Sequence, residues 1–385
     1  MNSCSPAPSS IVFLLTSLSF AGAEVQVLNL ASELRRRQWT VRVISMLPPE
    51  ALEDKLKAHG IEYVSLNMRR GVADPRVLFR LAALLRRWRP QVLHCHMVHA
   101  NLLGRLVQLL VSIPVVVSTA HSINEGGRLR EWLYRLTDPL TSITTNISQA
   151  AVDRYIEVGA VPRGRIRFIP NGLDLETFRS NPELRQEMRR KLQLLEPFVW
   201  LAVGRFDEAK DYPTMLRAFA RATEGMHPSV LLLVGGDGLE EKMSPLVLQL
   251  GLESSVRFLG VRDDIPLLMK AADGYLMSSA WEGMPMVLLE AAATGLPIVT
   301  TDVGGNREVV QDEVSGFVVK PGDPDGLAQA IQRMKELPEA ERKRMGEEGR
   351  QLVEQRFGLR AVVDQWESLY AEFGGDRVEQ QETGS

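Results

Sequence analysis

Short apolar, β-branched runs alternate with segments of helical periodicity along nearly the whole chain. Positions 11–15 are an uninterrupted apolar run that predicts a strand, and 24–38 carry Val25, Leu28, Ala31 and Leu34 on one helical face. The alternation continues with strands over 40–45, 62–66, 92–96 and 115–120, interleaved with helices over 50–59, 75–88 and 100–110. It restarts with strands over 199–203, 230–234, 256–259, 274–277, 298–301 and 316–319, interleaved with helices over 212–221, 240–250, 265–272, 286–294 and 327–337. Strands without polar alternation, divided by helices, are buried on both faces, so the pattern predicts parallel sheets covered on each side. Two doubly wound α/β domains follow, over 1–175 and 176–358, joined near IPNGLDLETF at 169–178. A last helix over 359–373 follows a charged stretch, and 374–385 is expected to be a disordered tail. Two such sheets side by side would leave a cleft at the carboxyl ends of their strands, where ligands of this architecture bind.

Composition narrows the class. With 45% hydrophobic and 24% charged residues over 385 positions, the chain has ample apolar surface to fold, which excludes disorder for most of it. Cys4 and Cys95 are its only cysteines, which excludes a disulfide scaffold and favours a reducing compartment. No apolar run is long enough to span a membrane, and MNSCSPAPSS lacks the basic residues of a secretory signal, so a cytoplasmic protein is expected. The net charge of -3 conceals an asymmetry. Residues 1–180 hold 22 Lys and Arg against 14 Asp and Glu, a balance of +8, whereas the remainder holds 23 against 34. The excess is clustered at Arg35, Arg36 and Arg37, at Arg69 and Arg70, and at Arg86, Arg87 and Arg89. Such clusters are either solvated helix faces or patches for an anionic membrane surface. Nucleic acid is not an expected partner, since no aromatic residues interleave the arginines.

Four loops carry candidate chemistry. In SSAWEGMPMVLLEAAATGLPIVTTDVGG, Glu282 precedes a helix and Glu290 lies inside it, eight positions on. Gly283, Met284 and Pro285 stand at the helix's amino end, with Pro285 suited to its first turn, where free N–H groups receive phosphate or sugar oxygens. In LAVGRFDEAKDYPTML, Gly204 permits close backbone approach, and Arg205 and Lys210 suit a diphosphate; they could equally pair with Asp207, Glu208 or Asp211 on the surface. In SFAGAEVQVL, Ala21, Gly22 and Ala23 make a small-residue turn that lacks the G-x-G-x-x-G fingerprint. In VVVSTAH, His121 ends a strand, as a site residue or as a hydrogen-bonded core histidine. His94, His96 and His99 in HCHMVH offer a metal site with no third ligand assured, and packing at a strand end is the simpler expectation. No G-x-S-x-G elbow, P-loop or H-E-x-x-H is present.

In order and spacing these segments resemble the retaining nucleotide-sugar glycosyltransferases of family 4. The likeness runs from AGAEVQVLNLASEL through VLHCHMVHAN, STAH, FIPNGLDLETF, VGRFDEAKDYPTML, VGGDGLEE, VRFLGVRDDIPLLMKAAD and EGMPMVLLEAAATGLPIVTTDVGG to SGFVVKPGDPDGLAQAI. The resemblance implies the GT-B fold of two Rossmann-like domains facing a central cleft, the first for the acceptor and the second for the donor, with a final helix crossing back to the first. It implies that Arg205 and Lys210 neutralise the donor diphosphate, that Glu290 holds the ribose hydroxyls, and that Glu282 faces the donor sugar beside the backbone of Gly283, Met284 and Pro285. By the same resemblance His121 contacts the donor sugar, the backbone at Val261 and Arg262 holds the base, and the loop at Gly22 closes over phosphate, although Ala21 replaces the first glycine of the usual pair.

The implied activity is metal-independent transfer of a hexose-type sugar from a nucleotide diphosphate sugar, such as a UDP-sugar, to a glycan or lipid-linked acceptor. Bacterial exopolysaccharide, capsule or lipopolysaccharide synthesis is the expected setting, on or near the inner face of the cytoplasmic membrane. No cofactor is expected, because two cations and a helix's amino end already face the charge of the leaving diphosphate. The alternatives are an epimerase or phosphorylase on the same fold, or a non-catalytic nucleotide-sugar binding protein.

Overall fold

A computed structural model describes residues 9–382 apart from 20, 21, 50, 73, 124, 125, 195, 225–227 and 237. The chain divides into two compact units, Met1–Gly172 with Leu359–Ser385, and Leu173–Gly358.

The first unit opens with β1 (Ser10–Leu15), α1 (Gly22–Arg36), β2 (Thr40–Ser45), α2 (Glu53–Ala58) and β3 (Glu62–Ser65). It continues with α3 (Arg76–Trp88), β4 (Val92–His96), α4 (Val98–Val107), β5 (Val115–Ala120), α5 (Arg128–Thr137), β6 (Ile143–Asn146), α6 (Gln149–Glu157) and β7 (Ile166–Phe168). Its seven strands are parallel, in the order β3-β2-β1-β4-β5-β6-β7. Alternate residues of each strand feed opposite layers. Ile11, Phe13 and Leu15 join α1 and α2 on one face, while Val12, Leu14 and Cys95 join α3 and α4 on the other.

The second unit contains α7 (Pro182–Lys191), β8 (Phe198–Val203), α8 (Tyr212–Thr223), β9 (Ser229–Val234), α9 (Leu239–Gln249), β10 (Val256–Phe258), α10 (Ile265–Ala271) and β11 (Gly274–Leu276). It closes with α11 (Met286–Thr294), β12 (Ile298–Thr301), α12 (Asn306–Val309), β13 (Gly316–Val319), α13 (Pro324–Glu336) and α14 (Glu339–Phe357). Its six parallel strands run β10-β9-β8-β11-β12-β13. In both sheets the chain winds outward one way, returns to the centre and winds the other way, as doubly wound folds do. The order reverses between β1 and β4 in one unit and between β8 and β11 in the other, so the loops leaving those strands flank each sheet's switch point.

The last helix, α15 (Leu359–Glu382), belongs to the first unit. Val362, Val363, Trp366, Leu369 and Tyr370 are buried with α1 and the odd-numbered face of β1. Arg37 bonds Asp364 and Glu367, each at 2.5 Å, and Arg167 grips Glu372 through two bonds of 2.6 Å. The helix runs to Glu382, past the end expected at 373, in place of a tail disordered from 374. Residues 383–385 lie outside the described ones.

Several elements carried too weak a pattern to be read from sequence. The strand β6 is the polar tetrapeptide ITTN, β7 has three residues, and α14 reads as a charged stretch because its mean face is polar. The helices α5, α6 and α7 also lay unassigned. Among the described residues no helix is long and apolar enough to cross a membrane.

Candidate active site

In the second unit, β8 is apolar up to Val203, and the chain then turns tightly. Asp207 accepts a bond from the Ala209 N–H at 2.9 Å, and Asp211, in the left-handed region at φ 45°, accepts from the Thr214 N–H at 3.3 Å and starts α8. Both carboxylates are therefore spent on capping, not on Arg205 or Lys210. The Tyr212 hydroxyl reaches back to donate to the Gly204 carbonyl at 2.8 Å, and burial raises its pKa. Gly235, after β9, has to be glycine: a Cβ there would lie 2.0 Å from that same carbonyl oxygen. The neighbouring Gly236 leaves room for Val261, whose Cγ2 would be 2.9 Å from a Cβ.

This geometry turns Lys210 toward the end of β11. Its Nζ donates to Glu282 Oε1 at 2.5 Å, and the Ser279 hydroxyl donates to the same oxygen at 2.7 Å. Both partners are partly shielded, with side chains 21% and 13% exposed. The buried Ser278 hydroxyl lies 2.7 Å from the Lys210 carbonyl, and the Ala280 N–H donates to the Ala209 carbonyl at 2.7 Å. The loops after β8 and β11 are thus sewn together. A third loop, after β12, covers them. The Gly305 N–H donates to the Gly283 carbonyl at 2.7 Å, and at Gly304 (φ 54°) a Cβ would lie 2.2 Å from the Glu282 carbonyl oxygen.

Beyond that loop, Met284 is buried, and Pro285 is the residue before α11, not part of its first turn. Glu290 is the fifth residue of α11 and largely buried. No described residue bonds its carboxylate, and burial pushes its pKa up to about 7. Both glutamates act electrostatically on the buried Tyr275 hydroxyl. An unpaired carboxylate in such a place costs stability unless something else supplies its hydrogen bonds. Arg205 is exposed and makes no ion pair among the described residues. Val261 is 81% exposed, and Arg262 bonds Asp264 at 2.5 and 2.8 Å, so its side chain is engaged locally.

The remaining candidates lie in the first unit. Gly22 is the first residue of α1 rather than part of a loop, and Ala21 lies outside the described residues. Beside it, Glu24 accepts from Ser17 at 2.7 Å and Ser19 at 3.0 Å. His121 follows β5, and its Nε2 is 2.9 Å from His96 Nδ1. The His96 ring packs against that of His94, tilted by 35° with centroids 4.1 Å apart, and His94 bonds the Tyr370 hydroxyl at 2.7 Å and Thr119 at 2.6 Å. Burial lowers the pKa of all three, His121 to about 4, so they are neutral at ordinary pH. No group of three or more metal-ligating side chains occurs among the described residues.

Two other features could have competed for the site. The one Asp-x-Asp spacing in the sequence is Asp323–Pro324–Asp325. Asp323 caps α13 through the Asp325 and Gly326 N–H groups, and Asp325 pairs with Arg221. A broad concavity of the second unit, about 1580 Å³, lies at the opposite, amino ends of β8, β9, β11 and β12. Its central cations, Arg185 and Arg189, are consumed by Asp273 and by carbonyls of residues 271 and 272. That hollow is held together internally and offers a ligand little.

Residues 20–177 match the model described as Glycosyltransferase Family 4, and 185–352 match Glycosyl transferases group 1. Taken together, the two matches make the chain a glycosyltransferase of the family 4 type. It is a glycosyltransferase of the GT-B fold. It is 29% identical over 298 residues to the Escherichia coli UDP-Gal:alpha-D-GlcNAc-diphosphoundecaprenol alpha-1,3-galactosyltransferase, covering 74% of this chain and 76% of that one. It is 34% identical over 174 residues to the lipopolysaccharide core biosynthesis glycosyltransferase LpsE of Rhizobium meliloti, 45% of this chain and 49% of the relative. In fold it matches Anabaena HepE, crystallised with UDP, at a TM-score of 0.84 and 23% identity, over 94% of this chain and all of the other.

Ser278, Ser279, Tyr212, Gly235 and Gly304 escaped the sequence reading. Two serines directly after a strand and glycine pairs after β9 and β12 were the available signals.

Proposed function

We propose that the protein is a retaining glycosyltransferase that moves a hexose-type sugar from a nucleotide diphosphate sugar, UDP-linked, to a lipid-linked or glycan acceptor during bacterial surface polysaccharide or lipopolysaccharide synthesis. The observation that carries the donor half is Glu290: a largely buried carboxylate with no partner, next to the switch point, has the character of a group waiting for two ribose hydroxyls. The UDP named in the Escherichia coli relative and bound to Anabaena HepE supports the choice of base, and the acceptor named in the former supports a lipid diphosphate carrier.

In this reading Lys210 serves the diphosphate. An ammonium has three donors, and Glu282 takes one, which leaves two for phosphate oxygens. Exposed Arg205 adds a fork of donors, and the amino end of α11 adds a partial positive charge. Together they stabilise the negative charge that grows as the glycosidic bond opens, so the reaction requires no metal. Glu282 is a poor covalent nucleophile, because Lys210 and Ser279 already hold its Oε1. Front-face substitution follows, with the leaving phosphate taking the acceptor's proton and the sugar keeping its configuration. The backbone at Val261 and Arg262 holds the base, and the backbone of Gly283, Met284 and Pro285 lies with Glu282 beside the donor sugar. In the first unit, His121 is assigned to the donor sugar and the amino end of α1 at Gly22 to phosphate, both through the family resemblance. A peripheral position on the inner face of the cytoplasmic membrane completes the proposal.

Thermal unfolding with UDP-, GDP- and ADP-sugars tests the donor, since a ligand of the folded state raises the midpoint. Product anomeric signals by NMR test retention, and EDTA tests the metal. No stabilisation by any of these sugars would remove the proposal.

A further inference from the structure

The helices α3, α4 and α5 cover one face of the first unit's sheet, with α4 packed against both neighbours. Their inner sides are ordinary core: Leu81, Leu85, Leu103 and Val107 meet Val12 and Leu14. The outer side of α5 is not ordinary. Its exposed positions are Arg128, Leu129, Trp132, Arg135 and Leu136, and the three apolar ones are 70%, 57% and 60% exposed. Spaced at i, i+3 and i+7, they form one stripe along the helix. Among the described residues no other helix exposes as many large apolar side chains. Nor is the stripe a sign of loose packing. On the opposite side, the wholly buried Arg105 donates to the Tyr134 carbonyl at 2.8 Å and to the Thr137 hydroxyl at 3.1 Å, pinning the helix with its apolar stripe outward.

The surrounding charge says what could cover it. Across 76–88, 98–107 and 128–137 the sequence has one acidic residue, Glu131, and Arg154 takes it at 2.8 Å. Arg76, Arg80 and Arg87 are exposed on α3 beside Phe79, itself 63% exposed. A second copy of the chain laid on this face would oppose arginine to arginine. A leucine and tryptophan stripe edged by arginines instead suits a bilayer interface, with rings and aliphatic carbons among the headgroups and guanidiniums on lipid phosphates. The Arg35–Arg37 cluster takes no part. It ends α1 on the other side of the sheet, where Arg36 and Arg37 are engaged by Glu33 and α15.

We infer that the first unit docks on an anionic bilayer through this α3–α5 face, with Leu129, Trp132 and Leu136 of α5 entering the headgroup layer. The inference rests on the lipid-linked acceptor reading and names its surface. Because α5 starts seven residues after His121, a docked helix would hold that histidine's loop near the plane where a lipid-borne sugar is presented.

Flotation of the full chain with phosphatidylcholine vesicles, with and without phosphatidylglycerol, tests this at low and high salt. Binding is expected to require phosphatidylglycerol and to fall at least about tenfold at high salt. The triple change Leu129→Ser, Trp132→Ser and Leu136→Ser, all at exposed positions, should weaken it about tenfold or more. Brominated phosphatidylcholine mixed into the anionic vesicles should quench the wild type's fluorescence, and Trp132→Phe should abolish most of that quenching. UDP affinity should stay unchanged in every variant, which separates this inference from the donor assignment. Three results would overturn it: wild-type protein that stays unbound at low salt, a triple variant that floats like the wild type, or self-association that the triple change removes while vesicles are ignored.

Discussion

Replacing Glu290 by Gln should stabilise the donor-free protein while crippling its affinity for the donor. In the folded chain the Glu290 carboxyl is raised from 4.5 to about 7 by burial, with no described partner to offset it. The unfolded chain ionises near 4.5, so folding favours the protonated form. The stabilising effect of that preference is complete below about 4.5 and is lost as pH rises through about 7. Over that range the wild type gives up about 3 kcal/mol that a neutral amide does not. Urea unfolding of wild type and Glu290→Gln at pH 5 and pH 8 should therefore give a gain for the variant of about 1 kcal/mol at the lower pH and about 3 kcal/mol at the higher. Donor hydroxyls would favour the carboxylate and lower its pKa, so binding of a UDP-sugar near pH 6 should release close to one proton. Calorimetry in buffers of different ionisation heat counts it. If the stability gain of Glu290→Gln were the same at both pH values, the buried, unpaired carboxyl would not exist as described.

Lys210→Ala removes the ammonium that Glu282 holds, and should lower kcat/KM about 10- to 100-fold with most of the loss in donor binding. Glu282→Ala should instead act mainly on kcat, measured at saturating donor. Gly235→Ala forces a Cβ against the Gly204 carbonyl and should cost about 2 kcal/mol by thermal unfolding, with donor affinity falling in parallel. Asp273→Asn leaves Arg185 and Arg189 short of their shared carboxylate, and should cost about 2–3 kcal/mol without changing the KM for donor.

Most of the fold was legible because parallel strands buried on both faces leave unbroken apolar runs, as Ile11 to Leu15 and Val230 to Val234 do. The site loops were legible for a related reason: glycine, proline and charge cluster where such strands end. What sequence did not convey was pairing. Asp207 and Asp211 looked like partners for Lys210, yet both cap local turns, and the true partner lies 72 positions away. The edge strand β7 and its neighbour β6 escaped because a polar or three-residue run has no periodicity to detect. The basic residues formed clusters along the chain but not in space. Arg36 and Arg86 sit on helices covering opposite faces of one sheet, and only the latter is on the apolar stripe's side.

Titration calorimetry of UDP into wild type and Lys210→Ala, with EDTA present, tests the central claim most directly. Micromolar-range binding by the wild type, weakened about tenfold or more by the substitution and by added salt, is the expected result. Absence of UDP binding without metal, or equal binding by both proteins, would contradict a diphosphate held by Lys210.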